Sequence, residues 1–343
     1  MDINKRILVW VGSRSNYGRL SKLIDILLKE YRVSLILGDY DLPYINKLGN
    51  NPKIIGKIPN LLYKDTRNNM SRSLSLVVQG VATIIEPRKP FDLAIVHGDR
   101  FENLGFAIAC SYDGIPLLHT EGGEVSGQID DKIRNAITAL SDFHCAATDL
   151  SANRLCISGY NAFNTGSPAI DYASEAEWST STDPFILCLF NPSDDDDRFE
   201  FARAIKHISS WMKVVWVNPN NDPGWKDIAR LIHLVPNISI EKGLTPLEYY
   251  SLLKSCKFLI GNTSSGIKEG ASFGVPYLMV GTRQFGREVC ANVTRCHCIK
   301  DDIIKIASDF IYAPFHRYKY DGRFGTGNAS SEIAKVIREE VSA

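Results

Sequence analysis

Asp99, Glu121 and Asp130 are the residues whose types and setting in this chain best suit proton transfer. The run His119-Thr120-Glu121-Gly122-Gly123-Glu124-Val125-Ser126-Gly127-Gln128-Ile129-Asp130-Asp131 sets four carboxylates around a Gly-Gly pair, directly after the apolar segment Ile115-Pro116-Leu117-Leu118. A buried strand that ends in glycines lets the backbone approach a ligand closely. Carboxylates at such an end abstract or donate protons when their environments move their pKa values apart. A second strand-to-turn run, Leu93-Ala94-Ile95-Val96-His97-Gly98-Asp99-Arg100, delivers another acid and an arginine. Acids from two adjacent strand ends, with Arg100 beside them, point to proton transfer on a phosphate-bearing substrate. Either run alone is as well explained by helix caps and ordinary turns; the two together favour the chemistry.

An anion-binding side is legible further on. Gly261-Asn262-Thr263-Ser264-Ser265-Gly266-Ile267-Lys268-Glu269 follows the apolar run at 257–260 and is expected to open a helix that continues through Ala271 and Ser272. Backbone N–H groups at a helix start, with the hydroxyls of Thr263, Ser264 and Ser265, suit a phosphate. Glu269, in the first turns, has the chemistry to accept the two hydroxyls of a ribose, or to sit simply as a favourable charge near the helix start. Gly281-Thr282-Arg283-Gln284 places Arg283 at the next strand end. The loop Val11-Gly12-Ser13-Arg14-Ser15-Asn16-Tyr17-Gly18 places Arg14 at the first strand end, within reach of a phosphate. There is neither the lysine spacing of a P-loop nor a GxGxxG run, so neither ATP nor NAD is favoured.

Positioning these groups requires an α/β scaffold. Short apolar runs at 7–11, 33–37, 93–96, 116–119 and 144–148 read as strands, and the amphipathic stretches at 20–28, 71–85, 101–112 and 131–141 as helices. After Gly166-Ser167-Pro168 comes a Ser-, Thr- and acid-rich linker, and strands resume at 185–190, 214–217, 238–240, 258–260 and 277–280. Two such sets predict two Rossmann-like domains facing an interdomain cleft, with ligands at the C-terminal strand ends. The expected division is an N-terminal domain, 1–172, carrying the acids; a C-terminal domain, 173–328, binding the nucleotide; and a final helix in 329–343 packing back across the domains.

Composition excludes several classes. Over 343 residues Lys and Arg balance Asp and Glu to a net charge of zero, which argues against a broad nucleic-acid-binding face and a polybasic membrane anchor. No apolar signal-peptide core and no bilayer-length run is present, so a reduced cytoplasmic protein is expected. Of eight cysteines no pair has CxxC spacing, and Cys296-His297-Cys298 lacks a second ligand pair, so no metal site is expected.

Taken together, the motifs resemble the hydrolysing UDP-N-acetylglucosamine 2-epimerase family of the sialic- and legionaminic-acid pathways. The resemblance runs through the SRxxYG-like loop, His97-Gly98-Asp99-Arg100, the run 121–131, Arg134 and Gly166-Ser167-Pro168. It continues in Asn218-Pro219-Asn220, the run 262–269, Gly281-Thr282-Arg283-Gln284 and Gly325-Thr326-Gly327-Asn328-Ala329-Ser330. It implies a GT-B fold, no metal or redox cofactor, and a homodimer or homotetramer. It also implies removal of the C2 proton of a UDP-2-acetamido sugar, anti elimination of UDP, and hydration to the C2-inverted free sugar. The family's catalytic acids map onto Asp99, Glu121 and Asp130, and its nucleotide contacts onto Arg14, Thr263, Ser264, Glu269 and Arg283. Arg100, Arg134, Asn191 and Ser265 complete the expected substrate-binding set.

The chain departs from the family at Asn16, where an aspartate is usual, and at Gly38-Asp39-Tyr40-Asp41-Leu42, Asn135 and Asn191, where relatives carry histidines. Asparagine hydrogen-bonds a diphosphate or sugar but neither carries charge nor shuttles protons. These departures point to an altered sugar, an altered leaving-group environment or lower activity. A GT-B glycosyltransferase, a non-hydrolysing epimerase and a silent nucleotide-sugar binder are the competing readings.

Overall fold

The computed structural model describes residues 5–38, 52–58, 67–88, 90–180, 183–193, 196–219, 224–241 and 243–342, without the side chains of 14, 15, 67 and 342. The departure at 39–42 therefore lies outside the described residues. The chain divides into two compact units, one of residues 1–125, 129–174 and 323–343, the other of 126–128 and 175–322.

The first unit begins with β1 (Arg6–Val11), α1 (Arg14–Leu27), β2 (Arg32–Gly38), β3 (Lys53–Ile58), α2 (Arg67–Ile85), β4 (Leu93–His97) and α3 (Phe101–Tyr112). It continues with β5 (Leu117–Thr120), α4 (Asp130–Leu140), β6 (Phe143–Ala146), α5 (Asp149–Ile157), β7 (Ala162–Asn164) and α6 (Pro168–Ala173). The strands pair in the order β3-β2-β1-β4-β5-β6-β7, all parallel. A parallel sheet covered by helices on both faces demands near-continuous apolar strands, and β1, RILVWV, obeys. Its alternate residues feed two cores: Ile7, Val9 and Val11 pack with Leu20, Leu23 and Ile24 of α1, whereas Leu8 and Trp10 pack with Val81 of α2 and Phe106 of α3.

In the second unit β8 (Phe185–Leu189), α7 (Arg198–Ile208), β9 (Lys213–Val217), α8 (Trp225–His233), β10 (Ile238–Glu241) and α9 (Pro246–Ser255) come first. β11 (Phe258–Gly261), α10 (Glu269–Ser272), β12 (Tyr277–Val280), β13 (Val293–Cys296) and α11 (Lys300–Tyr312) follow. Their sheet is ordered β10-β9-β8-β11-β12-β13, again parallel. Local signals start these helices: Thr245 and Glu248 form a reciprocal capping box on α9, with Pro246 at its first position.

The last helix, α12 (Ala329–Ser342), belongs to the first unit, where it packs on α1 and α6. Among the described residues no helix is long and apolar enough to cross a membrane. The expected central strands are all present. Three strands that the sequence pattern did not announce, β3, β7 and β13, lie at sheet edges. Edge strands bury less, so β3 reads KIIGKI rather than as a continuous apolar run.

Candidate active site

In open parallel sheets ligands collect at the carboxyl ends of the strands where the strand order reverses. In the first unit that point lies between β1 and β4. Two asparagines hold it: Asn16 Nδ2 donates to the His97 carbonyl at 3.2 Å and Asn103 Nδ2 to the same oxygen at 2.6 Å. Trp10 Nε1 in turn donates to Asn103 Oδ1 at 2.9 Å. Ser13 caps α1 by accepting the Asn16 N–H at 3.2 Å. The cap starts the helix at Arg14, which corrects the expectation of a loop through Gly18; the Arg14 side chain lies outside the described residues.

Past His97 the chain delivers Asp99 and Arg100. Arg134 of α4, 1% exposed, donates Nη2 to Asp99, and Nη1 to Asp131 and to the Glu124 carbonyl, the last at 2.7 Å. Burial by itself lowers a guanidinium's pKa; the carboxylates of Asp99 and Asp131 outweigh it and leave Arg134 raised. In this geometry Arg134 gathers acidic groups, its head packed inside the unit. Asp130 is the first residue of the same helix, half-buried one turn before Arg134. Arg100 Nε donates to Glu102 Oε1 at 2.6 Å.

Glu121 stands apart from that ion-pair group. It follows β5 with φ +63°, a left-handed backbone rare for residues other than glycine and concentrated at functional sites. Its carboxylate is buried and accepts a hydrogen bond from Ser167 Oγ. His97 Nε2 lies 3.6 Å and Arg19 Nη1 4.0 Å from its other oxygen. Behind it, His119 is neutral: burial pushes its pKa down to about 3. Its Nε2 lies 3.0 Å from the Gly98 carbonyl, which only accepts, so Nε2 carries the proton and Nδ1 takes the Thr138 hydroxyl at 3.2 Å. His119 thereby ties the end of β5 to the turn that presents Asp99.

The Gly-Gly pair has a different use from the one its sequence suggested. A Cβ at Gly123 would run into the Ser151 carbonyl and come within 3.0 Å of Leu155 Cγ, both of α5. One at Gly122 would stand 3.1 Å from His119 Nδ1. The space that glycine leaves is filled by protein, not kept for a ligand.

The second unit's reversal lies between β8 and β11. Here Asn262 bonds Asn191 in both directions, accepting its N–H at 2.6 Å and donating to its carbonyl at 2.8 Å. Thr263 Oγ1 and Ser265 Oγ are 3.0 Å apart, Ser265 Oγ meets the Tyr249 hydroxyl, and Tyr250 donates to Glu269 at 3.1 Å. Ser264 is the half-buried member of the hydroxyl group. Arg283 Nη1 lies 3.4 Å from the Asn262 carbonyl. So the chain brings Asn191, Asn262, Thr263, Ser265 and Arg283 to one sheet end. The expected continuous helix is absent: Ser264–Gly266 make a single 3-10 turn, and α10 spans only Glu269–Ser272. Side chains take the carbonyls that a helix would use. Tyr277 OH lies 3.1 Å from the Gly261 and 3.0 Å from the Thr263 carbonyl, and Asn292 Nδ2 donates to Gly266 at 3.0 Å. Burial holds the Tyr277 phenol well above its ordinary pKa, so it stays a donor.

Among the described residues no group of three or more His, Cys, Asp or Glu has metal-binding geometry. Burial raises the Cys298 thiol to about 12 and the Cys296 thiol to about 11. Asn135, one of the departures, is exposed on α4. Asn16, Asn103, Ser167, Asn262 and Asn292 were not among the expected site residues; all are neutral, and each has a hydrogen-bond partner far off in sequence.

Two parallel sheets with reversal points in the same place define an α/β protein of GT-B fold built from two Rossmann-like domains. Solved structures share it: Neisseria meningitidis UDP-GlcNAc 2-epimerase bound to UDP-GlcNAc, TM-score 0.80 at 17% identity, with 97% of this chain and 100% of that one covered. The S. aureus MnaA–UDP co-structure also scores 0.80, at 19% identity over 98% and 97%. The family model described as UDP-N-acetylglucosamine 2-epimerase matches residues 46–338, and the chain belongs to that family. A Legionella pneumophila UDP-N,N'-diacetylbacillosamine 2-epimerase (hydrolyzing) is 28% identical over 97% of this chain and 96% of its own length. A Neisseria meningitidis UDP-N-acetylglucosamine 2-epimerase is 26% identical over 83% and 82%. UDP-sugar 2-epimerisation is the class of reaction to which this chain is assigned.

Proposed function

We propose that this protein is a hydrolysing 2-epimerase of UDP-N-acetylglucosamine or its 2,4-diacetamido relative, releasing the C2-inverted free sugar and UDP. A carboxylate of the first unit takes the C2 proton, the electron pair forms the C1–C2 double bond, and the C1–oxygen bond to UDP breaks on the opposite face. Water then adds its oxygen to C1, giving up a proton to a carboxylate, while a carboxylic acid returns a proton to C2 from the other side. A C2 proton beside an acetal is weakly acidic, so a positioned base and a stabilised leaving diphosphate must share the barrier. Asp99, Glu121 and Asp130 serve the proton steps, with Arg134 organising Asp99; Arg100 stands beside them. Arg14, Asn191, Thr263, Ser264, Ser265, Glu269 and Arg283 serve the UDP moiety.

The observation that carries the reading is Glu121: a buried carboxylate on a left-handed backbone at a strand end, hydrogen-bonded by Ser167. The hydrolysing Legionella relative, aligned over nearly the whole chain, supports hydrolysis over UDP-retaining epimerisation. The test is incubation with UDP-N-acetylglucosamine, and separately with the diacetamido analogue, in D₂O under proton NMR. The expected result is UDP plus a free C2-inverted sugar carrying deuterium at C2. A UDP-bound epimer would sink the hydrolytic reading. Release of UDP without deuterium at C2 would sink the elimination.

A further inference from the structure

We propose that Ser167 is a positioning residue for Glu121, and that the chain segment 323–330 sets Ser167 in place; this rests on the reading of Glu121 as a catalytic carboxylate. Ser167 occupies the N-cap of α6, where a serine hydroxyl ordinarily accepts an N–H of the first turn. It makes no such cap bond. Its hydroxyl instead donates to Glu121 Oε1, across 46 residues of sequence, and the side chain is fully buried. A serine at a helix N-cap that spends its hydroxyl on a carboxylate 46 residues away gives up its local cap bond, the pattern a positioning role requires.

The serine is itself held from outside α6. Its N–H donates to the Phe324 carbonyl at 2.8 Å. Gly166, at φ +80°, packs so closely on Gly325 that a Cβ on either would lie 3.0 or 3.1 Å from the other's Cα. Four residues into α6, the buried Asp171 carboxylate accepts the Ala329 and Ser330 N–H groups at 3.0 and 2.6 Å, fastening the start of α12. Segment 323–330 therefore touches α6 on both sides of Ser167. Ser167 thus holds Oε1, while Arg19 and His97 stand near Oε2. Small displacements of a catalytic group cost rate out of proportion to their size.

The experiment compares Ser167→Ala, Ser167→Thr, Gly325→Ala, Glu121→Gln and the double variant S167A/E121Q, reading kcat, KM, UDP affinity and the pH dependence of kcat. S167A is expected to lower kcat 10- to 100-fold with KM and UDP affinity within twofold. Loss of a donor to the carboxylate should also move the acidic limb of the profile to higher pH. S167T, which keeps the hydroxyl, should recover most of the rate, and G325A should reproduce the kcat loss at unchanged UDP affinity. In the E121Q background S167A should add nothing. Unchanged kcat and pH profile in S167A, or an additive loss in the double variant, overturns the positioning role while leaving Glu121 catalytic. Full turnover in E121Q removes the catalytic reading of Glu121, and the positioning role with it.

Discussion

The two units solve the same architectural problem with different side chains. In each, the order of parallel strands reverses once, and asparagine side chains lash the strand ends together across the reversal: Asn16 and Asn103 on the His97 carbonyl, Asn262 on both backbone groups of Asn191. Beyond the lashing they diverge. The first gathers Asp99, Asp131 and Glu121 around Arg134, Arg19 and His97. The second lines its end with amides and hydroxyls, and Arg283 lies beside them. Charges that change during a reaction need counter-charges, whereas hydroxyls, amides and an arginine suit an anion whose charge stays fixed. On the reading proposed above, the difference divides proton chemistry from anion binding between two copies of one scaffold.

The division breaks most visibly under Glu121→Gln. Turnover should fall 10³-fold or more while UDP affinity, measured by calorimetry, changes less than threefold. Arg283→Met should do the reverse, weakening UDP 10- to 100-fold. If the two variants exchange these signatures, the division is wrong. Arg134→Met tests the charged end as structure: it strands Asp99 and Asp131, so urea unfolding should show a loss of about 3 kcal/mol. Asn262→Ala tests the second unit's end, where two hydrogen bonds vanish and the loss should be about 2 kcal/mol.

A pH experiment sharpens the contrast further. His119 is held near pKa 3 in the fold against 6.5 in a free chain, so the unfolded state binds the extra proton between those values. Stability is then complete above pH 6.5 and declines as pH falls toward 3. Between pH 7 and 5.5 the wild type should lose about 1 kcal/mol more than His119→Asn, measured by urea denaturation. Equal losses would show that His119 is not held neutral. The smallest effect belongs to the surface pair Arg338–Glu30, at 2.7 Å, which tethers α12 beyond α1. Arg338→Ala should cost about 0.5 kcal/mol at neutral pH, as partly exposed pairs do.

Much of this was legible in the residues. The central strands announced themselves as unbroken apolar runs because both faces are covered, and the acids fell where glycine-rich turns follow those strands. Three of the four edge strands did not, since a half-exposed strand such as Lys53–Ile58 mixes lysine and glycine with isoleucine. Nor did the break after Ser264–Gly266, which depends on Tyr277 and Asn292 arriving from other elements. Asn103, bonded to Trp10 across 93 residues, and Asn262, bonded to Asn191 across 71, carry no periodic or compositional mark. Charged site residues, and hydroxyls grouped at a strand end such as Thr263, Ser264 and Ser265, are visible by type. A lone asparagine such as Asn103 becomes visible only when the chain has brought its partner to it.

The first unit is interrupted in sequence: 148 residues, 175–322, are made between its main body and segment 323–343. During synthesis α1 therefore emerges long before Ile333, Ala334 and Ile337 of α12, which share its core. At roughly 5–20 residues per second the nascent unit waits about 7–30 s with that apolar face uncovered. The face is an adhesive surface for as long as it is open. Slow translation of the second unit, or truncation ahead of residue 323, should therefore show itself first as aggregation and chaperone demand rather than as a weakened enzyme.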